Sequence, residues 1–260
     1  MPSPAEYTGS LVIVGIGPGS RDQMTARALK VIAGAEIVIG NNTYLDQLEP
    51  LLVGKNVIRS SMGKEVERAK TAIRLAQKRH VAMVSGGDAG VYGMAGIVLE
   101  VLEHEKAEIK VEIVPGVTAA NAAASRVGSP LSGDFAVISL SDLLTPLDVI
   151  EKRLEAVFSI GIPVVLYNPK SRGRPHNFSG AISIARKYLG ENTPLALVKN
   201  AYREGEEIII TTLCDVEEYY GKVDMHTTVI IGGFESRIWR MGQDVKGIIT
   251  QRGYHRKYVY

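Results

Sequence analysis

The stretch VAMVSGGDAGVYG at residues 81–93 decides how the chain is interpreted, because a short apolar run breaks there into a glycine-rich turn around one aspartate. Residues 81–84 are typical of a strand buried on both faces, and the glycines let the backbone turn tightly beneath a bound molecule. Asp88 follows the strand at its carboxyl end, where open α/β sheets bind their ligands. The alternative interpretation makes Asp88 only the cap of a helix that begins near Val91.

Strand-like and helix-like segments alternate on both sides of this stretch. Apolar runs that predict strands lie at residues 11–16, 37–39, 56–59 and 111–114. Apolar residues at helical spacing predict helices at residues 25–35, 64–79, 91–103 and 118–126. Alternation of this kind is typical of an α/β fold with a parallel sheet and right-handed crossovers.

The regular alternation pauses at residues 128–134, GSPLSGD, so we place a domain boundary there and predict domains at residues 1–130 and 131–260. The second half is predicted to contain strands at residues 135–140, 163–167, 195–199, 207–213 and 227–231, with helices at 146–158 and 179–189. Since only a short connection precedes the strand-like run at residues 202–213, we expect an antiparallel hairpin and a mixed sheet. The polar, basic and aromatic tail after Glu235 is expected either to be partly disordered or to pack on a partner subunit.

Composition excludes several classes of protein. The chain is 45% hydrophobic and 22% charged with a net charge of +2, which does not favour nucleic acid binding. The single cysteine, Cys214, excludes an internal disulfide and any metal site built from several thiolates, so a reducing cytoplasm is expected. The first ten residues lack a basic start followed by an apolar run, and no segment reaches 18 uncharged apolar residues, so we expect neither secretion nor a membrane span.

The glycine-rich loop GIGPGS at residues 15–20 does not fit a dinucleotide fingerprint. The third glycine of that motif would stand at position 20, which is Ser20, and Pro18 removes a backbone donor from the loop. No P-loop, no pair of histidines at metal-ligand spacing and no activated nucleophile is evident in the sequence. Glycine, Thr-Ala and Asn-Pro turns at strand ends instead suit a site that orients two bound molecules.

Three further stretches of sequence narrow the possible functions: VPGVTAA at residues 114–120, FAVISLSDLLTP at 135–146 and VVLYNPKSRGR at 164–174. Together with GIGPGS and VSGGDAGVYG, they resemble the tetrapyrrole methylase superfamily and, within it, the precorrin-3B methyltransferases that act at carbon 17. The resemblance covers roughly residues 11–233. The glycine loops alone indicate only the superfamily, whereas SLSDLLTP followed by LYNPKSRGR is much more specific.

The resemblance implies two α/β domains with S-adenosylmethionine folded into the cleft between them, and a homodimer as the usual assembly. It further implies methyl transfer to carbon 17 of precorrin-3B, or of its cobalt-containing counterpart, with ring contraction, in cobalamin biosynthesis. The residues that fall where the family contacts the cofactor are Pro18, Gly86, Gly87, Asp88, Val91, Thr118, Ala119, Asn168 and Ala201. Among them, Asp88 is expected to fix a polar part of the cofactor, and Thr118 and Ala119 to supply donors at a helix start.

Two departures from the family pattern leave the proton carrier for ring contraction open. Relatives often show a histidine where this chain has Gly133, and a tryptophan where it has Leu147. The candidates for proton transfer are therefore Asp134, Ser141, Asp142 and Tyr167.

The substrate carries many carboxylates, which cationic side chains at strand-end loops would bind. The candidates are Lys64, Arg68, Lys170, Arg172 and Arg174, with solvated surface as the alternative for each. The rival functions are methylation of another position or target, a cofactor-binding or tetrapyrrole-binding protein without turnover, and a nucleotide-dependent oxidoreductase.

Overall fold

The computed structural model describes residues 8–259, except for the side chain of His255. The absence of a leader was predicted partly from residues 1–7, which are not described. The chain forms two compact units that divide between Ala119 and Ala120, eleven residues before the predicted boundary. The difference arises because the helix after residue 118 packs its alanines on the sheet of the second unit.

The first unit contains a five-stranded sheet in which every neighbouring pair is parallel, as the alternating pattern predicted. Its strand order is β3-β2-β4-β1-β5. The strands are β1 (Ser10–Gly15), β2 (Ile37–Asn41), β3 (Asn56–Ser60), β4 (His80–Ser85) and β5 (Lys110–Val114). The helices are α1 (Ala26–Gly34), α2 (Asn42–Asp46), α3 (Glu49–Leu52), α4 (Glu65–Ala76) and α5 (Met94–Glu105).

Both faces of this sheet are covered, which explains why its central strands are almost continuously apolar. In β4, Val81 and Met83 point into a core that α4 and α5 complete. Ala82 and Val84 point to the opposite face, into a core that α1 and α2 complete. Burial on both faces leaves the strand ends as the accessible parts of the sheet, and the carboxyl ends, where α/β proteins generally bind ligands, carry the glycine loops.

The second unit contains a mixed sheet, as predicted, in the order β10-β9-β11-β8-β7. Only β7 and β8 run parallel, and the β9–β10 hairpin is antiparallel with Lys199 opposite Glu207. The strands are β6 (Gly128–Ser129), β7 (Ala136–Ser139), β8 (Val164–Tyr167), β9 (Pro194–Lys199), β10 (Glu207–Thr212) and β11 (Thr227–Ile231). The helices are α6 (Ala119–Arg126), α7 (Leu147–Ser159) and α8 (Asn177–Tyr188).

Most residues of the tail after Glu235 have regular secondary structure, which differs from the partial disorder that was one of the two expectations. They form a hairpin of β12 (Ser236–Met241) and β13 (Asp244–Thr250), and β13 also pairs with β6 in a three-stranded sheet. Buried Thr250 fixes the end of the hairpin, because its hydroxyl donates to the carbonyl of Pro130 and contacts the Ser236 hydroxyl at 2.7 Å. Within residues 8–259, no helix is long and apolar enough to cross a membrane.

Candidate active site

The loops that follow β1 and β4 are bonded to each other at the carboxyl edge of the first sheet. Gly17 and Gly87 exchange two backbone hydrogen bonds, with N···O distances of 3.0 and 2.8 Å, and both have positive φ angles, of 76° and 65°. Each amide that a pyrophosphate would require at these two positions is thus already used. Buried Pro18, a candidate cofactor contact, offers no amide at all. The geometry therefore disfavours a dinucleotide.

Asp88 joins the β4 loop to the loop after β5. Its Oδ1 accepts hydrogen bonds from the backbone amides of Gly90 and Val91, at 2.7 and 3.1 Å. Its Oδ2 accepts from the amide of Gly116 at 2.9 Å. The carboxylate therefore closes the turn after β4 and braces two candidate ligand-binding loops. It does not cap the next helix, as the alternative interpretation expected, because α5 begins at Met94 and its N-cap, Gly93, has no side-chain cap hydrogen bond.

The same three loops approach so closely that only glycine fits at their contact. A Cβ atom at Gly116 would lie 2.2 Å from the Gly87 carbonyl oxygen, and one at Gly15 would lie 2.6 Å from the Gly116 amide nitrogen. A Cβ at Gly87 would lie 3.8 Å from both Thr118 Cα and Ala119 N. The candidate cofactor residues at positions 86–88 are therefore neighbours of Thr118 and Ala119, while Val91 is exposed beside them.

Tyr44 is a candidate site residue that the sequence did not single out. It lies in α2, directly after β2, and its ring packs against Gly86, where a Cβ would come within 2.4 Å of ring carbon Cε1. The available signal was the polar and aromatic run NNTY immediately after a buried strand. Tyr44 thus forms part of the surface beside the candidate cofactor glycines.

Of the two substrate candidates in the first unit, only Lys64 is exposed. Lys64 precedes α4 and forms an ion pair with Glu67 at 3.2 Å. Arg68 is only 4% exposed, and its guanidinium donates to Ser60 Oγ at 2.6 Å and to Met94 Sδ at 3.4 Å. Its Nε is buried without a hydrogen-bond partner. Arg68 therefore joins the end of β3 to the start of α5 and is held within the protein.

In the second unit, the strand-end residues of β7 and β8 are bonded together. The amide of the Asn168 side chain donates to Ser139 Oγ at 2.9 Å, and the Ser141 backbone amide donates to the same oxygen at 3.2 Å. Asn168 has a left-handed backbone with φ of 53°. Because β7 and β8 are parallel, candidates Asn168 and Ser141 lie together at their shared carboxyl edge.

Tyr167, the last residue of β8, contacts the beginning of α6. Its hydroxyl oxygen accepts the backbone N–H of Ala120 at 2.6 Å, so it satisfies one of the amides that a helix leaves open at its start. The half-buried ring of Tyr167 packs against the core that includes α6. Tyr167 thus holds the amino end of the helix beside Asn168.

Arg174 and Asp142 bring the two most specific sequence stretches into contact. Their Nε and Oδ1 atoms lie 3.7 Å apart, which is an ion pair but too long for a hydrogen bond. The Arg174 side chain is only 13% exposed, and its Nε has no hydrogen-bond partner. The loop after β7 and the loop after β8 therefore meet around a cation that is weakly held.

The remaining candidates of the second unit are not all at this edge. Lys170 donates to the backbone carbonyl of Tyr220 at 2.9 Å, whereas Arg172 is exposed on the same loop. Asp134 is also exposed, but it precedes β7 and so lies at the opposite end of that strand from Ser141 and Asp142. The structure therefore separates Asp134 from the other three candidates for proton transfer.

The candidate cofactor residue Ala201 lies in the turn between β9 and β10. Asn200 and Tyr202, on either side of it, both have left-handed backbones, with φ angles of 51° and 60°. A carboxylate from Glu206 holds this turn by accepting the Tyr202 amide at 3.0 Å. Ala201 is thus presented by a turn of fixed and unusual shape.

These strand-end loops fit a ligand that is recognised by shape and by backbone groups. Small residues line them, and among the described residues no cluster of three or more His, Cys, Asp or Glu side chains is arranged to hold a metal ion. S-adenosylmethionine has no phosphate groups, so it does not require the amide cradle that these loops lack. The fold and these loops are typical of an α/β enzyme whose ligand site lies at the carboxyl ends of its strands, and their chemistry suits a phosphate-free cofactor.

Comparison with known proteins makes this class specific. The family described as Tetrapyrrole (Corrin/Porphyrin) Methylases matches residues 10–217, and the chain belongs to this family. It is therefore an S-adenosylmethionine-dependent C-methyltransferase with a tetrapyrrole substrate.

Two curated relatives and one solved structure cover almost the whole chain. The chain is 44% identical over 245 residues to the probable cobalt-factor III C(17)-methyltransferase of Salmonella typhimurium, covering 94% of this chain and 99% of that protein. It is 43% identical over 251 residues to the cobalamin biosynthesis protein CbiHC of Archaeoglobus fulgidus, covering 96% of this chain but only 54% of that longer protein. The crystal structure of the methyltransferase CobJ superimposes with a TM-score of 0.87 at 32% identity, covering 94% of this chain and all of the other.

Proposed function

We propose that this chain transfers a methyl group from S-adenosylmethionine to carbon 17 of cobalt-factor III or of metal-free precorrin-3B, with ring contraction, in cobalamin biosynthesis. The observation that carries the proposal is the contact between the SLSDLLTP and LYNPKSRGR stretches around Asp142 and Arg174. These stretches are the most specific part of the resemblance, and both lie at the carboxyl edge of β7 and β8. The printed name of the Salmonella relative supports the same substrate class.

The cofactor is proposed to lie against the backbone of the strand-end loops. In the first unit the contacts are Pro18, Gly86, Gly87, Asp88, Val91, Thr118 and Ala119, and in the second unit Asn168 and Ala201. The mutual bonding of the loops supports this proposal, since it fixes their shape before any ligand arrives. When bound, S-adenosylmethionine supplies a sulfonium methyl group, which an electron-rich ring carbon takes without a protein nucleophile.

Arg174 is proposed as the principal anchor for a substrate carboxylate. Its guanidinium is largely buried, yet its Nε donates to no protein acceptor and Asp142 lies at 3.7 Å. A buried guanidinium with unused donors binds a carboxylate strongly, because the pair forms where little water competes. Exposed Arg172 and Lys64 are proposed as outer contacts, and Lys170 and Arg68 as weaker candidates because protein groups already hold them.

Proton transfer during ring contraction is proposed to involve Asp142, Ser141 or Tyr167 ahead of Asp134. Asp142 is exposed beside Arg174, and Ser141 and Tyr167 lie at the same sheet edge. Asp142→Asn should therefore slow product formation, whereas Asp134→Asn serves as the matched control at the opposite end of β7. Equal losses in the two variants would contradict this ordering.

The test is product analysis with both substrates side by side, under anaerobic conditions. Purified protein with S-adenosylmethionine and each tetrapyrrole should yield a product heavier by one methyl group. A ¹³C-labelled methyl would locate the modified carbon by NMR, so that methylation elsewhere on the ring would refute the assignment to carbon 17. Cofactor binding without product from either substrate would instead indicate a binding protein.

We further propose that the protein acts in the cytoplasm as a homodimer, as the resemblance implies. Light scattering during size-exclusion chromatography checks the assembly directly. A mass of one chain across the micromolar range would contradict the dimer.

A further inference from the structure

The turn between β9 and β10, at residues 200–206, contains two residues in an unfavourable backbone conformation. Asn200 and Tyr202 both adopt left-handed conformations, which are unfavourable for residues with a Cβ. Such conformations persist where the surrounding structure determines them, and they concentrate at functional sites. The turn closes on itself through the Arg203 amide, which donates to the Asn200 carbonyl at 2.8 Å.

A single carboxylate joins this turn to helix α6. Glu206 Oε1 accepts the Tyr202 amide at 3.0 Å and Arg126 Nε at 3.0 Å, while Oε2 accepts Arg126 Nη2 at 2.7 Å. The Tyr202 hydroxyl contacts Ser125 Oγ at 2.8 Å, and the Arg126 guanidinium lies 5.2 Å from the centre of the Tyr202 ring. The hydroxyl and ring of Tyr202 thus contact the carboxyl-terminal end of α6, and its backbone amide is held by Glu206, the carboxylate that Arg126 binds.

Glu206 and Arg126 each favour the charged form of the other. The hydrogen bond from Arg126 holds the pKa of the Glu206 carboxyl below its ordinary range, although partial burial opposes the effect. The same hydrogen bond from Arg126 to Glu206 raises the pKa of the arginine. The pair therefore stays ionised throughout the neutral range.

The other end of α6 is fixed at a second part of the candidate site. Tyr167, next to Asn168, accepts the Ala120 amide, and Ala120, Ala123 and Ala124 pack into the sheet core. The helix therefore links the Ala201 turn at one end to the Tyr167–Asn168 edge at the other. A shift of the turn would be transmitted to the helix, and the reverse.

We propose that Arg126 and Glu206 are positioning residues for S-adenosylmethionine, because their pairing holds the turn that presents Ala201 to the cofactor. This inference rests on the proposed function, in which Ala201 and Asn168 contact the cofactor. An exposed ion pair whose only effect is on stability is the competing explanation, since such pairs generally contribute little.

A matched pair in the first unit separates these explanations. Arg27 and Glu112 also form a bidentate pair, at 2.6–2.9 Å, and they join α1 to β5 away from the glycine loops. Glu112→Gln thus removes a similar charge-assisted contact without touching a candidate cofactor residue. It serves as the control for Glu206→Gln, which keeps an oxygen for the Tyr202 amide but weakens the bond to Arg126.

The experiment is calorimetric titration of the purified protein with S-adenosylhomocysteine, with thermal melting of each variant. Glu206→Gln and Arg126→Ala should weaken binding at least tenfold, Arg126→Lys should recover part of the loss, and Glu112→Gln should stay within twofold of wild type. The turnover number at saturating cofactor should change less than the KM for the cofactor. Melting temperatures of Glu206→Gln and Glu112→Gln should fall by similar amounts.

Two different results would contradict this inference, and they can be told apart. Wild-type binding with unchanged affinity in Glu206→Gln and Arg126→Ala, or an equal loss in Glu112→Gln, would overturn the positioning role alone. No binding of S-adenosylhomocysteine by the wild-type protein would overturn the proposed function and this inference together.

Discussion

Replacing Asp88 by asparagine tests whether this residue braces two loops or contacts the cofactor. The carboxylate accepts three backbone amides, two at Oδ1 and one at Oδ2. An asparagine has one oxygen, so whichever way it turns, its NH₂ group faces at least one of the amides of Gly90, Val91 and Gly116. Losing one bond to a charged acceptor costs about 1.5–3 kcal/mol, and we take about 2 kcal/mol as the expected loss in unfolding free energy.

This free energy determines how far the melting temperature and the cofactor affinity of the variant should change. A loss of about 2 kcal/mol lowers the melting temperature by roughly 4–8 °C in a protein of this size. If Asp88 only orders the loops, the affinity for S-adenosylhomocysteine falls by no more than the same free energy, which is roughly 30-fold. Urea unfolding and calorimetric titration of the same preparation give the two values, with exposed Glu100→Gln as the control for loss of one charge.

The two readings of Asp88 differ in how these values are related. Bracing predicts that stability and affinity both fall, with affinity inside the limit set by stability. An affinity loss far beyond that limit, with an unchanged melting temperature, would refute bracing and make Asp88 a direct cofactor contact. Unchanged stability and unchanged affinity would show that the three hydrogen bonds contribute nothing.

Four further substitutions have expected outcomes. Gly116→Ala should prevent stable folding, because its Cβ would lie 2.2 Å from a carbonyl oxygen. Gly96→Ala lies inside α5 with nothing within 4 Å of the added Cβ, so it should raise the free energy of unfolding in urea by about 0.5–1 kcal/mol. Tyr167→Phe removes the acceptor of a helix amide and should cost about 1–3 kcal/mol, with a raised KM for the cofactor in steady-state assays. The pKa of Glu206 is lower in the folded protein than in the unfolded chain, where it is about 4.3. The ionised carboxylate therefore stabilises the fold at pH values above about 4.3, and this stabilisation is lost as the pH falls through the folded-state pKa. Acid unfolding curves of wild type and Glu206→Gln should converge below that pH.

The strands of the first unit could be predicted closely because each contains an apolar run, whereas the short helices α2 and α3 were not predicted. Central strands buried on both faces are apolar throughout, and the glycine turns mark their carboxyl ends. The sequence does not mark the division between Ala119 and Ala120, because the alanines of α6 do not indicate which sheet they pack on. Helix α6 continues the strand–helix alternation in sequence but belongs to the core of the second unit.

The hairpin of β12 and β13 could not be predicted from hydrophobic periodicity. β12 is mostly exposed, and its adjacent Ile238 and Trp239 lie between two arginines, so it has no apolar face that the pattern could reveal. The available signal was Gly242 followed by Gln243 between two strand-like runs, since Gly242 has the positive φ of 62° that a two-residue turn requires. The separation of Asp134 from Ser141 is equally hidden in the sequence, because β7 lies between the two residues.

Arg68 and Arg174 show why residue type alone left the substrate contacts undecided. Both are arginines near strand ends, and both bury a guanidinium whose Nε has no hydrogen-bond partner. Arg68, however, also donates to a hydroxyl at 2.6 Å, to a carbonyl and to a thioether, so withdrawing it would leave protein acceptors unpaired. Among residues 8–259, the Arg174 side chain has only Asp142 at 3.7 Å and a thioether at 3.6 Å, so a substrate carboxylate would replace a weak contact by a strong one. Of these two cations, Arg174 is therefore the one that we propose as a substrate contact.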